Sequence, residues 1–273
     1  MARQRLGQHF LADAGWREEI AQAIRVSQQS IAPIPRGEAT DSCWIEIGAG
    51  HGEMTEHLAA TGASVYAVEF DPPLAAALQR FAKRFPNVTV VSADILETDI
   101  PALTGGRRVR IYGNLPYYIT SPILHHLFDG AALIDEIHIV IQHEVALRLV
   151  ARPGTRDYGY LSVLTQYYSR PELVLEIPRA AFRPPPEVSS ALVTLRLPGD
   201  RAKLPGVNDA AFLDFVKLCF AQKRKTLVNN LKLRAKPELI REALANLNLR
   251  ADARAEQLSV SDLAALSEQL HLS

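Results

Sequence analysis

The feature that most limits the possible folds of this 273-residue chain is the alternation of short apolar runs with helical patterns in its first half. The run at residues 44–47 leads through a glycine turn into a helix, and runs at 64–69, 88–93 and 108–113 each end at or just before a polar residue. Such alternation is typical of an α/β fold with a parallel sheet. Ligands bind these sheets beyond the carboxyl ends of the strands, so the sequence predicts a site there.

The glycine turn and the next two strand ends carry groups that suit a nucleoside. Gly48, Gly50 and Gly52 allow the main chain to approach a ligand closely. Glu69 can accept hydrogen bonds from both ribose hydroxyls, and Asp94 can reach an adenine amino group. Each carboxylate taken alone is more typical of a solvated strand end or a helix cap. The turn could also serve a dinucleotide, but its x-Gly-x-Gly-x-Gly spacing differs from the dinucleotide fingerprint.

The tetrapeptide Asn114-Leu115-Pro116-Tyr117 places hydrogen-bond acceptors next to an aromatic ring. An aromatic amine is a poor nucleophile until acceptors around its hydrogens draw its lone pair out of conjugation. The Asn114 side-chain oxygen is one acceptor, and the carbonyl of Leu115 or Pro116 is a second. Tyr117 offers a stacking face, worth about 1–3 kcal/mol for a base. An isolated Asn-x-Pro-Tyr would more often be a turn, but beside a nucleoside pocket it predicts methylation of an aromatic amine.

A second aromatic residue, Phe182, precedes the stiff run Pro184-Pro185-Pro186. A ring fixed there could cover the face of a base opposite Tyr117. A Phe beside a rigid turn is, on its own, more often part of the core. Because a base must leave its stack to enter such a slot, the substrate would be a loop, an end or a flipped nucleotide.

Several motifs together resemble one known family. They are Gly7-Gln8-His9-Phe10-Leu11, the tetrapeptide at 114–117 and the run from Phe182 to Ser190, with Tyr158-Gly159-Tyr160-Leu161-Ser162 and Gln222-Lys223-Arg224-Lys225-Thr226-Leu227. They are similar to the rRNA adenine dimethyltransferases, the last two most of all to the KsgA-type small-subunit enzymes. The resemblance implies a Rossmann-like seven-stranded sheet with one reversed strand. It also implies that the protein uses S-adenosylmethionine to convert two adjacent adenosines near the 3′ end of small-subunit rRNA to N(6),N(6)-dimethyladenosine.

The resemblance also assigns roles to individual residues. It implies cofactor contacts at His9, Leu11, Gly48, Glu69, Asp94 and Asn114, to which the glycine turn adds Gly50. It assigns the chemistry to Asn114, Leu115, Pro116, Tyr117 and Phe182. His9 departs from the family, which usually has Asn at this position, although an imidazole N–H can still donate.

A segment rich in Pro and Gly at residues 197–206 divides the chain. We predict a methyltransferase domain over residues 1–198 and a small all-helical, RNA-binding domain over residues 207–273. The apolar pattern predicts helices at 211–220, 226–233, 237–247 and 261–270, the last capped by Ser261.

Charge distribution supports an RNA-binding role for the second domain. The chain carries 30 Lys and Arg and 30 Asp and Glu, yet residues 201–240 hold nine basic and three acidic residues. A solvated helix face is the common explanation of any single charge, but this asymmetry indicates contact with phosphate. We therefore expect Lys223, Arg224 and Lys225 to bind RNA.

Composition excludes several other classes. The two cysteines, Cys43 and Cys219, lie far apart, which argues against a disulfide framework and for a reducing compartment. There is no signal peptide or apolar run long enough to span a membrane, so we expect a cytoplasmic protein. His143-Glu144 lacks the second His of a zinc-protease motif, and we expect neither metal nor a second subunit. Two alternatives stay open: a large-subunit rRNA adenine methyltransferase, and a ribosome-assembly factor that acts mainly by binding the immature 30S particle.

Overall fold

The computed structural model describes residues 9–27 and 43–272, so Gly7 and Gln8 of the first motif lie outside the described residues. The strands in this part are β1 (Phe10–Leu11), β2 (Cys43–Ile47), β3 (Ser64–Glu69), β4 (Val88–Ser92), β5 (Val109–Asn114), β6 (Ile134–Gln142), β7 (Arg170–Ile177), β8 (Phe182–Arg183) and β9 (Ser190–Arg196). The helices are α1 (Ala14–Ser27), α2 (Glu53–Ala59), α3 (Pro72–Ala82), α4 (Ile100–Thr104), α5 (Thr120–Asp129), α6 (His143–Val150), α7 (Tyr160–Tyr168), α8 (Asp209–Cys219), α9 (Leu227–Leu231), α10 (Pro237–Asn246) and α11 (Val260–Gln269). No helix in the described residues is long and apolar enough to cross a membrane.

Seven strands form one sheet in the order β4-β3-β2-β5-β6-β9-β7. Strands β2 to β6 pair in parallel, whereas β9 runs antiparallel to β6 from Glu136↔Arg196 to Gln142↔Ser190. The predicted seven-stranded, Rossmann-like sheet is therefore confirmed, and β9, next to the edge strand β7, is reversed relative to β6. The chain leaves β2 toward β3 on one side and returns to β5 on the other, and a crevice opens at such a switch point beyond the strand ends.

The central strands are buried along most of their length, as expected for a parallel sheet that helices cover. All five residues of β2 are buried. One core cluster joins Trp44 and Tyr112 of the sheet to Ile20 of α1 and Leu58 of α2. A second cluster packs Leu78 of α3 against the sheet.

Two helices show which side chains form the N-caps. At α3, the Asp71 carboxylate accepts from the Leu74 N–H at 3.2 Å. The predicted cap Ser261 is wrong, because Ser259 caps α11. The Ser259 hydroxyl accepts from the Asp262 N–H at 3.1 Å, and the Asp262 carboxylate accepts from the Ser259 N–H at 2.9 Å. This reciprocal arrangement satisfies two N–H groups that a cap at Ser261 would leave unpaired.

The chain divides into two compact units. The first unit comprises the described residues up to Ala146 together with Glu172–Leu197, and the second comprises Leu147–Pro171 with the described residues from Pro198 onward. The boundary after Leu197 lies one residue before the predicted one. Residues 147–171, which the prediction gave to the methyltransferase domain, group instead with the C-terminal helices, because α7 contacts α8 and α11.

Candidate active site

The turn after β2 brings main chain close to a pocket because two of its glycines are left-handed. Gly48 has φ +68° and Gly50 has φ +55°, conformations that residues with a side chain rarely adopt. A Cβ on Gly50 would also stand 3.2 Å from the Phe10 ring. The buried Glu69 carboxylate braces the turn, since one oxygen accepts from the Gly50 N–H at 2.8 Å and the other from the Asp71 N–H at 2.9 Å.

Asn114, the last residue of β5, is oriented by the segment around β1. Its amide nitrogen donates to the main-chain carbonyl of His9 at 2.9 Å. That bond leaves Oδ1 as the free acceptor of the amide. Within the described residues, Oδ1 of Asn114 forms no hydrogen bond.

The two main-chain carbonyls after Asn114 differ in whether they accept a hydrogen bond. The Pro116 carbonyl accepts from the Ile119 N–H at 3.2 Å, whereas the Leu115 carbonyl has no partner in the part of the chain that the structure describes. Leu115 is held in place by its own N–H, which donates to the Val140 carbonyl at 3.0 Å. Of the two predicted main-chain acceptors, Leu115 is therefore the one left available.

Tyr117 is half-buried and fixed at both its hydroxyl and its face. Its hydroxyl lies 2.9 Å from Oγ of Ser190, the first residue of β9. Burial raises the pKa of the Tyr117 hydroxyl above its ordinary value, and the Ser190 contact opposes part of that rise. The His9 ring stacks on the Tyr117 ring, with centroids 5.7 Å apart and planes 26° from parallel.

A short antiparallel ladder joins the first motif to the proline run. Phe10 pairs with Arg183 and Leu11 with Phe182. His9 extends the connection, because its Nδ1 lies 2.8 Å from the Pro184 carbonyl oxygen. Since a carbonyl can only accept, Nδ1 carries the proton in this contact.

Most of the predicted site residues meet in one cavity of about 60 Å³ within the first unit. Its lining is His9, Phe10, Gly48, Gly50, Glu69, Asn114, Leu115, Pro116 and Tyr117. An adjoining cavity of about 30 Å³ is lined in part by the same glycines and by Leu11, Arg17 and Glu46. The strand ends thus converge on one pocket, and Leu11 lines the adjoining cavity.

Phe182 is not part of this pocket. Its side chain is fully buried in the core cluster that contains Leu11, Trp44 and Tyr112. Along β8 the side chains alternate, so Phe182 points inward and Arg183 outward. In this structure the core removes the apolar ring from water, and a contact between Phe182 and a base opposite Tyr117 stays a prediction.

Asp94 also lies outside the lining of the pocket. Its carboxylate accepts from the Leu96 N–H at 2.9 Å and caps the short 3₁₀ turn Ile95–Glu97. The helix-cap interpretation of this residue is therefore correct. A contact between Asp94 and the cofactor stays a prediction.

Sequence reasoning missed three residues of the site. Phe10 covers the glycine turn, and its ring packs at a tilt against the His51 ring, with centroids 4.9 Å apart. Ser190 holds the Tyr117 hydroxyl, and Glu46 borders the adjoining cavity. Phe10 and Ser190 stand inside motifs already recognised, and Glu46 is an acidic residue within an apolar strand, so each had a signal in the sequence.

Glu46 is a carboxyl group held inside the protein. It is 2% exposed, and the Thr55 hydroxyl donates to it. Burial raises the pKa of Glu46 to about 8, an effect that the Thr55 bond reduces and the charges of Glu53 and Glu69 increase. The group is therefore predominantly protonated at neutral pH.

The predicted RNA-binding residues lie in the second unit, between α8 and α9, and all three are exposed. The Lys223 ammonium donates to the Arg156 main-chain carbonyl. The side chains of Arg224 and Lys225 form no hydrogen bond or ion pair with the described residues. Among residues 9–27 and 43–272, no three His, Cys, Asp or Glu side chains are grouped as a metal site, and the absence of a metal stays a prediction.

The fold and the pocket define a methyltransferase of the Rossmann-like class. The sequence profile described as ribosomal RNA adenine dimethylase matches residues 1–271, and the chain belongs to that family. Members of the family are S-adenosylmethionine-dependent methyltransferases.

Individual relatives agree with the family profile. Ribosomal RNA small subunit methyltransferase A of Koribacter versatilis is 39% identical over 279 residues, which cover 97% of this chain and 93% of the relative. A dimethyladenosine transferase from Plasmodium falciparum has the same fold, with a TM-score of 0.78, 21% identity and coverage of 97% and 99%. The 23S rRNA methyltransferase ErmE has a TM-score of 0.69 and 28% identity, with coverage of 96% and 99%.

Proposed function

We propose that this protein transfers methyl groups from S-adenosylmethionine to the exocyclic amines of two adjacent adenosines in a loop near the 3′ end of small-subunit rRNA. The product is N(6),N(6)-dimethyladenosine, formed in the cytoplasm during assembly of the 30S subunit. One observation carries the proposal: Oδ1 of Asn114 and the carbonyl of Leu115 are both without a partner among the described residues, beside the Tyr117 ring. Family membership and the small-subunit relatives support the reaction and its substrate.

The pocket residues fit the cofactor by chemistry. Gly48 and Gly50 would let a nucleoside approach the main chain, and each Glu69 oxygen can accept a further hydrogen bond from a ribose hydroxyl. When bound, S-adenosylmethionine supplies an electrophilic methyl group. Because the pocket measures about 60 Å³, we expect the Phe10 ring to leave Gly50 when the nucleoside enters.

The acceptors at the end of β5 would activate the adenine amine. Asn114 Oδ1 and the Leu115 carbonyl accept its two hydrogens, which pulls the nitrogen lone pair out of conjugation and directs it at the methyl carbon. The nitrogen would bond to the methyl carbon as the carbon–sulfur bond of the sulfonium breaks and the thioether S-adenosylhomocysteine leaves, and the cationic nitrogen would then release a proton to water. A side chain with the tuned pKa of a general base is not needed, and neither is a metal ion.

Tyr117 would hold the base flat by stacking. Its ring is already positioned by Ser190 and His9, so little side-chain freedom is lost when the base arrives. Because His9 stacks on Tyr117, His9 has two candidate roles: the predicted contact with the cofactor and a contact beside the base. His9→Asn separates them: a changed cofactor affinity with an unchanged KM for RNA indicates the predicted cofactor contact, and the reverse indicates a role beside the base.

Methyl transfer to rRNA is the decisive measurement. Purified protein is incubated with methyl-labelled cofactor and unmodified 30S particles, with Asn114→Ala as the matched control. We expect label in two adjacent adenines, mapped by digestion of the rRNA. Absence of label from these adenines with the unaltered protein contradicts the proposal.

The likeness to ErmE favours a second candidate, a methyltransferase of large-subunit rRNA. Naked 23S rRNA and 50S particles offered in parallel distinguish it, because that enzyme would label them and leave 30S particles unlabelled. Binding to 30S particles without any label would instead indicate the assembly factor. Sedimentation of the complex tests whether a single chain is the active unit.

A further inference from the structure

Gln142 is a polar side chain beside the pocket to which the proposed reaction assigns no role. It is the last residue of β6 and is partly exposed, although the six residues before it are buried. Its amide forms no hydrogen bond or ion pair with any residue that the structure describes. A primary amide offers two N–H donors and a carbonyl acceptor, so this side chain is free to bind a polar group of a ligand.

The register of the sheet places Gln142 on the same face as the acceptor Asn114. Asn114 is the partner of Val140, and side chains two residues apart on a strand point to the same face. Gln142 therefore follows Val140 on that face, just beyond the end of β5. The core supports this placement, because Val140 packs in one cluster with Tyr112, which stands two residues before Asn114.

Tyr117 brings its ring to the same part of the sheet. The strands lie in the order β5-β6-β9, so β6 separates the strand that Tyr117 follows from the strand that begins at Ser190. The Tyr117 hydroxyl nevertheless lies 2.9 Å from Ser190 Oγ, and Ser190 is the in-register partner of Gln142. Because neighbouring strands are about 4.8 Å apart, the Tyr117 side chain crosses the end of β6 to make this contact. Gln142 is the residue at that end.

Main-chain hydrogen bonds hold the chain on both sides of Gln142. Toward β5, the Leu115 N–H donates to the Val140 carbonyl at 3.0 Å. Toward β9, the His143 N–H donates to the Ser189 carbonyl at 3.0 Å. These bonds extend the strand pairing past Gln142, so the main chain that carries its amide is fixed before a ligand arrives.

We infer that Gln142 recognises the target adenine by donating a hydrogen bond to a ring nitrogen that flanks the reacting amine, N1 or N7. The inference rests on the proposed function, which supplies the adenine. When Asn114 Oδ1 and the Leu115 carbonyl accept the amine hydrogens, both ring nitrogens are still acceptors, and an amide N–H is a suitable donor for either. At N1 this donor would also reject guanine, which carries an N–H there. Gln142 thus determines specificity and takes no part in the transfer of the methyl group.

Substitution of Gln142 tests the contact in methyl transfer to unmodified 30S particles. Gln142→Leu removes the amide and should lower kcat/KM roughly tenfold, which corresponds to the loss of one hydrogen bond. Gln142→Glu has only acceptors to offer to an acceptor, so it should lose more. Gln79→Leu is the matched control, because Gln79 is exposed on α3 and lines neither cavity of the first unit. Cofactor affinity and thermal stability should be nearly unchanged in all three variants.

Base analogues identify the ring nitrogen that is bound. Particles are assembled with 1-deazaadenosine or 7-deazaadenosine at the target position, which replaces N1 or N7 by a C–H group. The analogue that lacks the bound nitrogen should reduce transfer by the unaltered protein roughly tenfold and should cause little further loss in Gln142→Leu. A structural role of Gln142 would not produce this coupling, because the two losses would then multiply. Losses that multiply for both analogues overturn the inference.

The readouts separate this inference from the proposed function. The same cycle of variant and analogue is measured as particle affinity, which requires no turnover. If the unaltered protein labels 30S adenines but neither analogue is coupled to Gln142→Leu, the Gln142 contact fails alone. If no label is transferred but the affinities are coupled, the proposed reaction fails alone and the contact with the base is supported.

Discussion

The pocket of the first unit offers a ligand main-chain carbonyls, an amide and a buried carboxylate, whereas Lys223, Arg224 and Lys225 of the second unit offer exposed ammonium and guanidinium groups. The first set lies at the ends of strands, where the sheet fixes positions. The second set consists of long side chains between α8 and α9. We therefore expect the pocket to respond to atomic position and, through the neighbouring Glu46, to pH, and the exposed cations to respond to salt.

The largest expected effect concerns pH and Glu46. Its folded-state pKa of about 8 exceeds the ordinary 4.5, so the folded protein binds this proton more tightly than the unfolded chain does. The resulting stability is fully present below pH 4.5 and is lost as pH rises through 8, by at most about 5 kcal/mol. Urea titrations from pH 5 to 9 should show this decline in the unaltered protein.

Glu46→Gln is the control for that titration. The amide stays neutral at every pH and can still accept from Thr55, so its stability should vary much less between pH 5 and 9. An equally steep decline in Glu46→Gln would assign the pH dependence to other groups.

Substitution of Phe182 tests whether a target base stacks on its ring. Because its ring is buried, Phe182→Ala should lower the free energy of unfolding by about 3–5 kcal/mol. Phe182→Leu should cost less and, per folded molecule, transfer methyl groups at close to the normal rate. A stable Phe182→Leu protein with a raised KM for RNA would support the predicted stacking role.

Asn114→Ala removes the Oδ1 acceptor and the bond to the His9 carbonyl. Loss of one preorganised polar group costs about 10²–10³-fold in kcat, and we expect an effect of that size. Single-turnover transfer measures it, with calorimetry of cofactor binding in parallel. A loss confined to cofactor affinity would make Asn114 a binding residue and remove it from the chemistry.

Tyr117→Ala should give the smallest of these effects. Loss of stacking costs about 1–3 kcal/mol, seen as a slower transfer with nearly unchanged cofactor affinity. Tyr117→Phe and Ser190→Ala each keep the ring and remove one partner of the contact between the two hydroxyls, so both should remain within a few-fold of the unaltered protein. Equal losses of transfer and cofactor affinity in Tyr117→Ala would show that the ring is structural.

The strands could be predicted because buried parallel strands consist mostly of apolar residues. A polar residue at the end of each strand indicated the position of the pocket. The caps were harder: Ser259 and Ser261 both precede an apolar stripe, and only the hydrogen bonds of Asp262 distinguish them.

Contacts between distant segments could not be derived from local patterns. The ladder between β1 and β8 joins residues about 170 positions apart, and it is what buries Phe182 and brings His9 to Tyr117. A phenylalanine that stacks on a base and one that fills a core look the same in sequence.

The bond between the Asn114 amide and the carbonyl of residue 9 bears on substitutions of residue 9. Because every amino acid has the same main-chain carbonyl, this hydrogen bond from Asn114 does not depend on which side chain residue 9 carries. Substitutions of residue 9 should therefore leave the hydrogen bond to the Asn114 amide intact, whichever side chain they introduce.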